Sequence, residues 1–125
     1  MILTKNISRE DFYNVIYKTI NPILDLSNTE LAILSNFASI RANLIQSNLT
    51  PSQIDAANFN SNHRKLVAST LDMSKFNLNN YIMGLRKKGI LVYNSNKKLV
   101  IQPNIFPNIN TIIQPFKIEY KFNIL

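Results

Sequence analysis

The side chains able to do chemistry in this 125-residue chain are cations and amides, and they gather between residues 64 and 98. Arg64, Lys65, Lys75, Arg86, Lys87, Lys88, Lys97 and Lys98 carry positive charge there, with Asn77, Asn79 and Asn80 among them. Ammonium and guanidinium groups at this density suit an anionic surface, and carboxamides add paired donors and acceptors. Covalent and redox chemistry has no comparable basis. The chain has no cysteine, which excludes thiol nucleophiles, thiolate metal sites and disulfides. His63 is the single histidine, and Gly84 and Gly89 are the only glycines, so neither a His cluster nor a Gly-rich phosphate cradle can be built. His63 reads as a surface or capping residue. Asp72 and Glu119 stand too far from other acids for paired-carboxylate catalysis. The expectation is a non-enzymatic protein without metal, cofactor or small-molecule substrate.

Charge is unevenly spread along the chain. Residues 1–61 hold four basic and five acidic groups, a net of −1, whereas residues 62–125 hold ten basic groups against Asp72 and Glu119, a net of +8. A basic half beside a neutral half points to an anionic partner on one side of the molecule; the bland alternative is a solvated lysine-rich surface. Hydrophobic residues make up 46% and charged residues 17%, too apolar for a disordered chain and enough for one core, so residues 1–125 read as a single domain. The first twenty residues include Lys5, Arg9, Glu10 and Asp11 and do not read as a signal peptide. No run approaches the ~18–20 apolar residues of a membrane span, and a cytoplasmic location is expected. Asparagine is roughly one residue in seven, well above average usage, so its abundance alone is weak evidence of function.

The elements that must position the cations follow from capping and periodicity. Ser8 with Arg9, Glu10 and Asp11 predicts a helix start, and Phe12, Tyr13, Val15, Ile16, Tyr17 and Ile20 its apolar face, ending at Asn21-Pro22. Ser27 to Glu30 fits a capping box ahead of a helix to about residue 46, with Leu31, Leu34, Phe37, Ala38, Ile40, Leu44 and Ile45 apolar. Thr50-Pro51 opens a short third helix that fades into a loop over residues 58–62. From Asn62, Leu66, Val67 and Leu71 mark one side of a helix of about ten residues. Ser74 caps another, whose buried stripe is Leu78, Tyr81, Ile82 and Leu85. Gly89 sits at its left-handed C-terminus. Residues 90–93 and 99–101 then read as strands around the polar turn 94–98. Pro103, Pro107 and Pro115 mark an irregular crossing, and strict alternation from Phe116 to Ile124 predicts a terminal strand with one buried face.

The order helix, short turn, capped helix, glycine and hairpin, carried by "RKLVASTLDMSKFNLNNYIMGLRKKGILVYNSNKKLVI" at residues 64–101, resembles the winged helix-turn-helix core of MarR-type regulators and of plasmid and phage replication or regulatory proteins. Ala68 matches the small residue of the first helix of the pair, Leu78 the apolar position that locks the second, and Leu85 to Leu91 the junction into the wing. "LSNTELAIL" at residues 26–34 is similar to the opening helix of such domains, and the whole chain resembles small winged-helix proteins of bacteriophages. Asp72 departs from the pattern, standing where glycine is usual in the turn. The fold class is therefore expected to be mainly α with a small β-sheet. A helical extension (1–25), a winged-helix core (26–102) and an irregular segment with a closing strand (103–125) would make it up.

The resemblance implies double-stranded DNA as partner and a role in transcription control or replication. Helical steps place Phe76, Asn80, Met83 and Lys87 opposite the buried stripe, flanked by Asn79 and Gly84. Asparagine amides there can pair with adenine, while Lys75, Arg86, Lys87 and Lys88 suit phosphates on both groove walls and Lys97 and Lys98 form the wing tip. Arg64 and Lys65 open the preceding helix. Alternatives stay open at each point. The 86–88 cations also complement a helix C-terminus. Phe76 and Met83 are more often packed against a neighbouring element than against thymine methyls. The N-terminal helix serves either the core or a homodimer, and the terminal strand either closes the sheet or pairs with another chain. The rival function is a protein-interaction or virion-assembly module using the same fold without DNA readout.

Overall fold

The computed structural model describes residues 2–6, 12–106, 112–113 and 117–121, with side chains described over 12–106. Helix α1 (Phe12–Leu24) is followed by α2 (Asn28–Ile45), α3 (Pro51–Asn58), α4 (Ser61–Thr70) and α5 (Lys75–Lys87). Strands β2 (Leu91–Tyr93) and β3 (Leu99–Ile101) form an antiparallel hairpin with Leu91 opposite Ile101 and Tyr93 opposite Leu99. A 3-10 turn follows at Pro103–Ile105. Strands β1 (Ile2–Asn6), β4 (Ile112–Ile113) and β5 (Lys117–Lys121) make a second antiparallel sheet in the order β1-β5-β4. The class is thus mainly helical with small antiparallel sheets, as expected.

Helix α2 is the hub, packed by α1, α3 and α4. Its capping box forms as read: Ser27 Oγ accepts from the Glu30 amide at 3.2 Å, and Glu30 Oε1 accepts from the Ser27 amide at 3.0 Å. Leu31, Leu34, Phe37 and Ala38 are buried, and so is Ile33, which the expected stripe omitted. Neighbours on several sides widen the buried sector beyond a single apolar face. Ile45, in the last turn, is exposed instead.

The aromatic face of α1 belongs to the core. Phe12, Tyr13 and Tyr17 are buried, and Tyr13 stacks on Phe106 with ring centroids 5.7 Å apart. The expected stop at Asn21-Pro22 is corrected, because α1 runs through Pro22 to Leu24. Pro22 and Lys18, whose carbonyl loses its donor, are both exposed, so solvent can serve that group. The helix ends where Asp25 takes a left-handed φ of 55°. Asn21 locks the corner, donating to the Leu26 carbonyl and accepting from the Leu26 amide. The Ser8 cap and residues 9–11 lie outside the described residues.

The loop expected over 58–62 is also corrected. Asn60 is an N-cap that accepts from the His63 amide at 2.8 Å, and α4 begins at Ser61. Phe59 turns inward to stack on Phe37, centroids 4.3 Å apart. Val67 and Ala68 are buried, but Leu66 is 55% exposed, so it does not share their side of the helix. Asp72 occupies the α4–α5 turn with φ 53°, and the Met73 amide donates back to the Ala68 carbonyl. Asp tolerates that left-handed conformation better than most non-glycine residues, which is how the turn forms without glycine. Gly89 at φ 77° closes α5, with the Ile90 amide reaching the Leu85 carbonyl.

The terminal strand is present over Lys117–Lys121, and its side chains lie outside the described residues, so the alternating face from Phe116 to Ile124 does as well. β5 is the middle strand of its sheet, paired with β1 along its length (Ile2 opposite Lys121 through Asn6 opposite Lys117) and with β4 over part of it. The sequence reading placed no strand at residues 2–6.

Candidate nucleic-acid interface

Helix α5 is held between two neighbours and presents what remains. Ser74 caps it, its Oγ accepting from the Asn77 amide at 3.1 Å, and Leu78, Ile82 and Leu85 anchor it in the core. Tyr81, expected in that stripe, is 37% exposed and is corrected to the flank. Steps of about 100° per residue put Asn79, Lys75 and Arg86 on one flank, and Asn77, Tyr81, Gly84 and Lys88 on the other. The outward ridge between them is Phe76, Asn80, Met83 and Lys87, all exposed. Phe76 is 74% and Met83 56% exposed, so the expectation that they pack against a neighbouring element is corrected.

The first flank is fastened to α4. Arg64 donates from Nε to the Phe59 carbonyl at 2.8 Å and from Nη1 to Asn79 Oδ1 at 3.1 Å. Lys75 Nζ donates to Ser61 Oγ at 2.9 Å. His63 Nδ1 donates to the Ala57 carbonyl at the end of α3 and acts as a cap there. The second flank faces the start of α2 across an open hollow of about 350 Å³ lined by Glu30, Asn77, Asn80, Tyr81 and Gly84. Lys88 Nζ lies 2.9 Å from Glu30 Oε1. Burial works to raise the Glu30 carboxyl, but the Ser27 amide and the Lys88 ammonium outweigh it and hold it below the ordinary carboxylate value.

The hairpin is built around Asn94. Its Oδ1 accepts from the amides of Asn96 and Lys98, and its Nδ2 donates to Asp55 Oδ2 at 3.1 Å. Asp55 Oδ1 in turn accepts from Arg41 Nη1 at 2.9 Å, so the hairpin is tied through α3 to α2. Lys97 turns the tip in the left-handed region at φ 61°, and both Lys97 and Lys98 are exposed. Arg86 lies over the Tyr93 ring, 4.8 Å from its centroid, joining the end of α5 to β2.

The sequence-derived set therefore divides. Asn77, Asn80, Lys65, Lys87, Lys97 and Lys98 are exposed, and these four lysines form no ion pair with any described residue. Arg64 and Asn79 hold each other, Lys88 is paired with Glu30, Lys75 bonds Ser61, and Arg86 rests on Tyr93. Sequence reasoning missed Asp55, Asn94 and Tyr93 as supports. Tyr93 could have been found from its outward place in a strand beginning at Leu91, whereas nothing local marks Asp55 as a partner of Asn94, 39 positions away. Among the described residues no group of His, Asp or Glu could hold a metal ion, and no helix is long and apolar enough to cross a membrane. Comparison with protein-family models, with curated proteins and with solved structures finds no match to this chain.

Proposed function

We propose that the chain is a winged helix-turn-helix protein that binds duplex DNA, with α5 in the major groove and the 94–98 turn along the backbone, serving transcription control or replication. The observation that carries this reading is the outward ridge of α5, open along its length, with one flank fastened to α4 and the other tied to α2, among the described residues, by Lys88 alone. Lys75 at its start, exposed and bonded among the described residues only to the neutral Ser61, and Lys87 at its end suit the two groove walls, and Asn80 between them suits an adenine edge. Lys97 and Lys98 extend the same charge to the hairpin.

Salt dependence is the test. With about six phosphates neutralised, log affinity for random duplex falls against log salt with a slope near −5. Lys87→Ala with Lys98→Ala reduces that slope by about two and weakens all sequences alike, whereas Asn80→Ala changes sequence preference. A flat salt response overturns the reading. The exposed Phe76 and Met83 favour one rival, a winged helix that docks a protein partner. Under that rival, random duplex gives no electrophoretic shift at any salt concentration.

A further inference from the structure

The two large apolar side chains on the ridge are not scattered. Phe76 and Met83 are seven residues apart on nearly the same line, so they stand about 10.5 Å apart along the helix axis. That distance is about three base-pair steps of ~3.4 Å. Asn80 lies between them, and lysines stand at both ends of the helix. An apolar pair framed by cations suits an anionic partner that displays apolar groups. A duplex major groove does so, because each thymine presents a C5-methyl there.

The remaining chemistry of α5 narrows the choice. The helix contains no acidic residue, so it lacks the carboxylate that best suits the cytosine amino group and offers only carboxamide oxygens there. Its only guanidinium, Arg86, sits over Tyr93 on the flank rather than on the ridge, and Lys87 in the last turn is assigned above to a phosphate wall, so no cation of the ridge is committed to guanine. Asn80 prefers adenine and the apolar pair prefers thymine. We infer that Phe76 and Met83 read thymine methyl groups and make α5 selective for A·T-rich duplex; this rests on the groove reading above.

Uracil is thymine without the methyl, so the test uses the full chain with alternating poly(dA-dT) and poly(dA-dU) duplexes of equal length, followed by fluorescence anisotropy. Burial of two methyls corresponds to roughly fifteenfold tighter binding of the thymine duplex. In Phe76→Ala with Met83→Ala the ratio falls toward one; both positions are exposed, and circular dichroism verifies that the variant is folded. Equal affinity of the wild-type chain for both duplexes overturns the thymine inference and leaves the groove reading standing. A preference that survives in the double variant overturns the assignment to these residues. Binding of neither duplex at low salt overturns the groove reading and the inference with it.

Discussion

Lys88 and Lys87 are adjacent and chemically identical, yet the fold gives them different work. Lys88 is paired with Glu30, whereas Lys87 points along the exposed ridge. Because Glu30 is held below the ordinary carboxylate value, its contribution to stability is present above that ordinary value and is lost as the pH falls through the depressed one. Lys88→Ala therefore destabilises the protein at neutral pH by about 0.5–1 kcal/mol, a modest figure because the lysine is partly exposed. The deficit shrinks as the pH falls below the ordinary carboxylate range and Glu30 protonates. Urea unfolding of both proteins at neutral and acid pH checks it, and a deficit unchanged with pH refutes the role of the pair.

Asn79 shows the same division at the scale of elements. Composition and spacing place it beside the outward ridge as a base reader, but it accepts from Arg64 and joins α4 to α5, and Arg64 also holds the end of α3. Asn79→Ala is expected to cost about 1 kcal/mol through the lost hydrogen bond, and Arg64→Ala about 1–3 kcal/mol because it also releases the Phe59 carbonyl. Chemical denaturation measures both. In duplex titrations Asn79→Ala leaves the order of preferred sequences as it was, in contrast to Asn80→Ala; a changed order returns Asn79 to the reading surface. The elements themselves were largely legible. The Ser27 box, the Thr50-Pro51 start, the Ser74 cap, the Gly89 stop and the hairpin are all written in short runs whose partners lie within a few residues. The Asn60 cap was obscured by the abundance of asparagine around it, and the end of α1 by a proline that solvent exposure renders harmless.

Across the whole molecule the connections are long-range. Asp55 joins α3 to Arg41 of α2 and to Asn94 of the hairpin, and Arg41 lies over the Phe106 ring, 5.7 Å from its centroid. Asp55→Ala releases both partners, so a loss of about 1–3 kcal/mol is expected, with faster hydrogen exchange at the Asn96 and Lys98 amides. Exchange unaltered at the hairpin would show that Asp55 does not hold it. Strand β1 was illegible for a related reason: its partner β5 lies more than a hundred residues further on, and five residues of mixed character carry no period of their own. By itself the sequence determined the helices, the hairpin and the excess of cations in the second half, since capping, periodicity and charge act over one or two turns of chain. Only the tertiary structure decided which of the cations and amides between residues 64 and 98 are engaged and which are exposed, because a side chain's partner is set by packing between elements far apart in sequence.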